Sequence, residues 1–351
     1  MKVRLPLLLL ALSALPAAAV SPRFVRTPDV RGDVVVFAWE GDLFRVPLAG
    51  GAAVRMTTHP GNEEAPQLSP DGKWVAFRAT YDGPNEVYLM PMAGGVPKRL
   101  TYTGNAQPVT WTLDGKRIVF RSGFASTFRP VPRLYSVSPE GELPEPLPPE
   151  RGVLAEYSPD GTKLAYNRRG DEEYYWKRYK GGQYQDIWLY DFASRSYAPL
   201  TDYVGKNSYP MWAGGGLLFV TDRASNGVAN LWRLDPATKA ASPVTDYRDF
   251  DVQMPSTDGK TVVFTRAGVL YRMDVATAKV EPIEVDVPSD RWALAERPVS
   301  AKETIQSMAV SSDGKWTAFE ARGDVFLVST EEAGPTRNLT RAPKSRERFP
   351  R

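Results

Sequence analysis

The sequence predicts an all-β fold: a six-bladed β-propeller of four-stranded blades, followed by one blade of a second, incomplete propeller. Three observations carry this. A phrase recurs along the chain: a Ser-Pro-Asp-Gly-Lys turn, an apolar strand, a strand of the Glu-Val-Tyr-Leu type, and a closing Leu-Thr. Its turn glycines fall at Gly72, Gly115, Gly161, Gly215 and Gly259, spacings of 43, 46, 54 and 44 residues. Periods in the forties with four strands each indicate propeller blades rather than a helical solenoid. Finally, 11% aromatic residues with 31 Pro and 28 Gly suit short strands joined by tight turns, and no long stretch has helical periodicity.

The chain opens on Lys2 and Arg4, an apolar run over residues 5–15 broken by Pro6, and the small-residue stretch Ala17-Ala18-Ala19. This pattern predicts a signal peptide over residues 1–19, a mature chain from near Val20, and export to the periplasm. The run is too short to span a bilayer, so no stable membrane span is expected; an uncleaved anchor is the alternative. The chain has no Cys, so nothing depends on disulfides.

The propeller is predicted over residues 24–288. Blade 1 is read from residues 34–37 and 42–46 and from Met56-Thr57, without an Asp-Gly lead. Blades 2, 3, 4 and 6 carry the full turn at Asp71-Gly72, Asp114-Gly115, Asp160-Gly161 and Asp258-Gly259, while blade 5 has Gly214-Gly215-Gly216 in its place. Asp can bond its own backbone and Gly tolerates positive φ, the two requirements of such turns. The strand after each turn is a continuous β-branched and aromatic run, as when both faces are covered, and the next alternates more, as an outer strand should. A linker is predicted over residues 289–304. A seventh unit over residues 305–351 has its turn at Gly314, 55 residues past Gly259. One blade cannot bury both faces alone, and a single seven-bladed ring is the alternative arrangement.

Charge and motifs exclude more than they assign. Lys+Arg 44 against Asp+Glu 41 gives a net charge of +3 with no dense basic run, which argues against a nucleic-acid partner. The single histidine, His59, precedes Pro60-Gly61 in a predicted surface turn with no nucleophile motif beside it. There is no Gly-x-Ser-x-Gly elbow, no His-Glu-x-x-His, and no phosphate-binding loop, so no catalytic residue, metal site or cofactor is predicted. Blade 4 carries an insertion between Tyr166 and Asp186 that holds Arg168-Arg169 and residues 174–182, rich in Tyr, Lys and Arg. Inserted propeller loops gather on one face and often bind ligands. Arginine beside aromatics suits bidentate capture of a carboxylate, so Arg168 and Arg169 are the candidate site; a solvated hairpin is the alternative.

The ordered set of motifs resembles the start of a tricorn-type protease. It runs from Trp176-Lys-Arg-Tyr-Lys-Gly-Gly182 before Asp186-Ile-Trp-Leu-Tyr190, through Pro210-Met-Trp212, to Phe219-Val-Thr-Asp-Arg223 before Asn230-Leu-Trp232. It ends on Ala321-Arg-Gly-Asp-Val-Phe326 before Asn338-Leu-Thr340. The Asp-Gly phrase alone is also found in TolB-type propellers and in propeller-bearing peptidases. The resemblance implies a six-bladed propeller, then a seven-bladed one, then a protease core with a PDZ-like domain and Ser/His/Glu machinery. It implies that this chain is a non-catalytic conduit of a serine peptidase, with peptides, the C-terminal protease domains of the same polypeptide and a homo-oligomer as partners. In that family a basic pair holds peptide carboxylates, and Arg168-Arg169 is the best match. A free-standing TolB-like interaction propeller is the rival reading, and a propeller-bearing amidohydrolase or prolyl-type peptidase a third.

Overall fold

The computed structural model describes residues 22–126, 131–170, 177–288, 299–332, 334–341 and 345–351, together with the backbone of 19–20. The signal peptide up to residue 18, the Tyr174-Tyr175-Trp176 part of the insertion and residues 289–298 of the linker lie outside the described residues. The chain divides into two compact units, residues 1–290 and 291–351.

The first unit contains six four-stranded antiparallel sheets, each built from one contiguous stretch of chain. The blades' inner strands are Arg26–Arg31, Glu63–Leu68, Ala106–Trp111, Leu154–Tyr157, Asn207–Ala213 and Gln253–Thr257. The second and third strands carry the recurring phrase. Their registers place an aromatic pair across every blade: Phe37 on Phe44, Phe77 on Tyr88, Phe120 on Tyr135, Tyr166 on Trp188, Phe219 on Trp232 and Phe264 on Tyr271. In blades 1, 2, 3 and 6 the two rings stack with centroids 5.9, 6.1, 5.7 and 5.5 Å apart. The third strands of blades 1 to 3 are buried further than the expected alternation, with residues 86–90 of Glu86–Pro91 all buried, whereas those of blades 4 to 6 keep half-buried positions. Neighbouring blades pack face to face, so a third strand also has both sides covered.

Two hydrogen-bond devices explain the polar letters of the phrase. In the turns, the aspartate accepts from the backbone: Asp71, Asp114 and Asp160 each take the N–H two residues on at 3.0–3.1 Å and a hydroxyl from Ser69, Thr112 or Ser158. These bonds lower the pKa of all three carboxyls. At the blade ends, the closing threonine accepts the N–H fourteen residues upstream: Leu43 to Thr57, Val87 to Thr101, Ile187 to Thr201 and Leu231 to Thr245, at 2.9–3.0 Å. The hydroxyl thereby fixes the outer edge of the blade to the start of its third strand.

Among the described residues each four-stranded blade is built from its own stretch of chain, and the ends meet through strand pairing only in a small separate sheet, in which Val285–Pro288 pairs with Ala19–Val20 on one side. Blade 1 also packs against blade 6 through Val30, Val35, Phe37, Val263, Leu270 and Ile283 in one buried cluster. The segment Val285–Pro288 adds a short parallel pairing to Gly51–Ala52, with Gly51 and Ala53 N–H donating to Glu284 and Asp286 carbonyls at 2.8 Å. Across the same seam Ser256 donates to Asp29, Gly32 N–H to Asp258 at 3.1 Å, and Arg272 to the Leu48 carbonyl at 2.8 Å. Gly50 is required here: its φ is +93°, and a Cβ would sit 2.5 Å from the Glu284 carbonyl oxygen.

The second unit holds one four-stranded blade, Ile305–Val310, Trp316–Ala321, Asp324–Ser329 and Arg337–Asn338, with Phe319 stacked on Phe326 at 5.5 Å. Ile305, Met308 and Val310 of its first strand remain exposed.

Gly50→Ala is expected to weaken the seam, costing about 1–3 kcal/mol for a forced left-handed residue in chemical denaturation. An unchanged midpoint would mean that the clasp adds nothing to closure.

Candidate functional site

The six inner strands run in the same direction around an axial channel. Ala65 N–H donates to Thr27 Oγ1 at 3.0 Å and Thr27 N–H to Met254 Sδ at 3.2 Å, while Asp29 takes Leu68 N–H at 2.6 Å and the Ser256 hydroxyl. Residues 27, 65 and 254 therefore share one level, and 29, 68 and 256 the next. The cavity they enclose is about 1650 Å³, larger than a drug-sized ligand needs.

Five of the six inner strands contain a register shift: between residues 26 and 29, 64 and 67, 108 and 110, 208 and 211, and 253 and 256. Each shift involves an X-Pro step, and Thr27, Ala65, Tyr209 and Met254, each preceding a proline, have φ of +43 to +57°. A bulge of this kind bends the strand and re-aims the side chains after it. These residues were missed in the sequence reading. Their signal is a proline four to seven residues before a glycine of the following turn in blades 1, 2, 3, 5 and 6: Pro28 before Gly32, Pro66 before Gly72, Pro108 before Gly115, Pro210 before Gly215 and Pro255 before Gly259.

The end of the channel at the strand starts is rich in cations. Arg23, Arg26, Arg78, Lys177, Arg178 and Lys206 line it against Glu64, Asp222 and Asp251. Glu64 pairs with Arg78 and, at 3.9 Å, with Arg26; Arg78 and Arg121 both donate to Gln107 Oε1 at 2.9 Å. The described part of the blade 4 insertion reaches across this mouth. Lys177 Nζ meets Asp251 of blade 6 at 2.8 Å, and Arg178 donates to the Asn226 carbonyl of blade 5 at 2.9 Å. Gly227 makes room for that arm, since a Cβ there would lie 2.4 Å from Arg178 Nε. Beside it Lys180 and Arg223 lie over the Tyr203 ring at 5.7 and 5.4 Å, and burial lowers the Arg223 pKa. Phe24 and Phe250 are exposed on the rim.

The sequence-predicted pair stands away from the channel lining. Arg168 follows the second strand of blade 4, donates to both carboxylate oxygens of Asp186 and stacks over Trp188 at 4.4 Å. Trp188 Nε1 donates to the same carboxylate at 2.7 Å, so Asp186 organises a compact Arg-Trp-Asp group. Arg169 is its chain neighbour, and neither arginine lines the cavity. His59 is exposed, its Nδ1 accepting Gly61 N–H at 2.9 Å.

The opposite end is acidic and aromatic, with Asp29, Glu156, Asp258, Trp111, Tyr157 and Trp212 in its lining. Burial pushes the Glu156 carboxyl up to about 8 against a hydrogen bond from the Trp212 backbone, and Asp29 adds repulsion. Burial likewise raises Asp29. At the junction of blades 1 and 2, burial pushes Glu63 up to about 7 although Thr57 donates to it at 2.8 Å.

The described residues contain no cluster of three or more His, Cys, Asp or Glu able to hold a metal ion. The cavity thus has different chemistry at its two ends.

A family model described as the tricorn protease N-terminal beta propeller domain matches residues 22–279. The tricorn protease homolog 1 of Streptomyces coelicolor is 31% identical over 348 residues, 96% of this chain and 31% of that protein. A putative tricorn-like protease N-terminal subunit of Sulfurisphaera tokodaii is 26% identical over 161 residues, 44% of this chain and 80% of that protein. The crystal structure of the tricorn protease superposes with a TM-score of 0.77 at 22% identity, covering 92% of this chain and 32% of that one. This chain thus spans about a third of the length of its full-size relatives.

Glu63 and Glu156 keep their protons when folded at pH values where the unfolded chain, with the ordinary 4.5, has lost them. Their contribution is fully present below about pH 4.5 and is lost as pH rises through about 7 and 8. The thermal midpoint is therefore expected to fall between about pH 5 and pH 8.5. Glu63→Gln with Glu156→Gln flattens that slope; an equally steep slope in the double variant would refute the assignment.

Proposed function

The chain belongs to the tricorn protease N-terminal β-propeller family, and on that premise we propose that its propeller guides short peptides to and from a protease core lying outside these residues. The observation that carries this reading is the axial channel of about 1650 Å³ with its cation-rich, partly strapped mouth. A peptide is a flexible chain with one carboxylate end, and clustered guanidinium and ammonium groups attract that end in water-poor surroundings. The propeller supplies no nucleophile of its own; hydrolysis belongs to the protease core. That core is either the rest of one polypeptide or a separate subunit, as the name of the Sulfurisphaera relative suggests for that protein. Higher assembly into a homo-oligomer and export by residues 1–19 to the periplasm complete the proposal.

The strap is the gating element in this reading. Lys177 and Arg178 tie the described end of the insertion to blades 6 and 5 through one ion pair and one carbonyl hydrogen bond, contacts weak enough to open. The lysine of this pair is exposed although Asp251 is largely buried and also accepts Ala229 N–H at 3.0 Å, so the ion pair itself contributes only about 0–1 kcal/mol. Asp251→Asn is therefore expected to raise the association rate of a fluorescent hexapeptide severalfold in stopped flow while leaving the melting temperature within about a degree. An unchanged rate would rule out this gate.

Arg168 and Arg169, outside the channel lining, remain the proposed carboxylate clamp of the blade 4 insertion. A peptide carboxylate would share or displace Asp186 on Arg168, whose guanidinium keeps its stacking on Trp188. Arg168→Ala with Arg169→Ala is expected to weaken binding of peptides with free C-termini about tenfold and to spare their C-terminal amides. Equal loss for both peptide types would sink the clamp.

A further inference from the structure

The two ends of the channel differ in sign. At the strand-start mouth six cationic side chains face three carboxylates, whereas at the turn end Asp29, Glu156 and Asp258 face Arg31 alone. None of these three carboxylates has a salt-bridge partner among the described residues. Asp29 and Asp258 are occupied by local groups: Asp29 by Leu68 N–H and Ser256, Asp258 by the N–H groups of Gly32, Lys260 and Thr261. Glu156 is different. Its carboxyl has the Trp212 backbone N–H beside it and feels Asp29 and Arg31 from blade 1, and no cation pairs with it. Trp212 and Tyr157 also line this end, and Trp212 is anchored by its own indole, which donates to the Glu156 carbonyl at 3.3 Å.

Glu156 is half-buried in the channel wall, and a carboxylate partly withdrawn from water with no cation in pairing distance recovers that cost either by taking a proton or by meeting a cationic ligand. Tryptophan and tyrosine faces favour the same ligand, because an ammonium group is attracted to their π clouds. A guanidinium would fit the charge, but a primary ammonium is the compact one and presents three donors to a single carboxylate.

We infer that Glu156 is the counter-charge for a primary ammonium group inside the channel, in the first place the N-terminus of a peptide whose carboxylate lies toward the cation-rich mouth. The inference rests on the peptide-conduit reading and adds a direction to it. It also sets a length. The blade 1 inner strand, Arg26–Arg31, has six residues and so spans about 20 Å at roughly 3.3 Å each. An extended hexapeptide has about the same reach, so its two ends can meet the two poles at once. Capture needs the ionised carboxylate and a protonated amine, and a free peptide amino group titrates at about 7.7–8.0. Binding therefore releases the Glu156 proton below about pH 8, is tightest near pH 8, and weakens above it as the ligand loses its own proton. Asp29 and Arg31 from blade 1, Asp258 from blade 6 and Tyr157 on the same strand are the other charged and titratable groups lining that end.

The test uses calorimetry on the full chain at about pH 7.8, where the peptide amine and the Glu156 carboxyl are both partly charged, with wild type and Glu156→Gln, which keeps the shape of the side chain and removes its charge. A Gly-Ser hexapeptide with a free N-terminus is expected to bind wild type at least tenfold more tightly than its N-acetylated form, and Glu156→Gln is expected to erase the difference. An N-acetylated peptide carrying one internal lysine distinguishes the source of the ammonium. Recovery of tight binding shows that a lysine side chain serves as well, and no recovery confines the site to the N-terminus. Equal binding of free and acetylated peptides to wild type, or discrimination that survives Glu156→Gln, overturns the inference. If no hexapeptide binds, n-butylammonium decides: binding lost in Glu156→Gln keeps the ammonium site and removes the peptide reading. Butylammonium binding that is absent, or equal in both proteins, removes the ammonium site.

Discussion

The channel exists only because blade 1 closes on blade 6. A propeller blade is apolar on both faces, so a row of six must bury its two end faces on each other or leave them in water. Among the described residues no blade strand is exchanged in this closure. It rests on a shared core that includes Phe37, Val263 and Ile283, on the short pairing of Gly51–Ala52 with Val285–Pro288, and on side-chain bonds such as Ser256 to Asp29. Asp29 lies at the centre of this: its carboxyl joins blades 6, 1 and 2 at one level of the channel wall. The residue that closes the ring also helps to make the turn end of the channel acidic. Closure and site chemistry are therefore coupled through one buried side chain.

The repeat itself was legible because its letters answer local needs. Asp-Gly marks the turn, the aromatic of the second strand finds its partner in the third, and the closing Thr bonds fourteen residues back within the same blade. Each of these is a contact inside one blade, so a single sequence displays it. The second-strand runs, the blade count and the separate seventh blade follow from such contacts. What failed to show was the inner strand. Its bulge at an X-Pro step breaks the two-residue period that identifies a strand, as at Ala65-Pro66 and Tyr209-Pro210. The propeller carries its channel on those strands, so the least regular part of each blade is the part that lines the site.

The candidate site was legible in one half. The insertion in blade 4 was visible as an excess of residues with unusual chemistry, and its Lys177 and Arg178 do reach the channel mouth. Arg168 and Arg169 came from the same stretch, but proximity in sequence could not tell which cations face the axis. Arg168 folds back onto Asp186 and Trp188, partners eighteen and twenty residues away in its own blade. Glu156 carried no signal at all. It is one glutamate in a short strand, and its significance comes from Asp29, more than a hundred residues earlier, and from Trp212, more than fifty later.

A ring of near-equal blades gives a channel that is nearly the same on every side, so any preference for one ligand over another must come from a blade that departs from the rest. Blade 4 departs twice. Its inner strand, Leu154–Tyr157, pairs with its neighbour without the register shift found in the other five, and it carries the insertion that the others lack. The regular strand sets Glu156 into the acidic end, while the insertion delivers Lys177 and Arg178 to the cationic mouth. Both poles of the channel are thus tied to one blade, about one strand length apart. Four of the other blades hold a residue at positive φ ahead of proline, a conformation that costs energy and is not tied to one side-chain type, since Thr27, Ala65, Tyr209 and Met254 all adopt it. What those blades repeat is a backbone shape, a wall. Blade 4 adds charge of opposite sign at the two ends, Lys177 and Arg178 to the cations of blades 1 and 2 and Glu156 to Asp29 and Asp258, and that asymmetry helps a fold of repeated parts to acquire a direction.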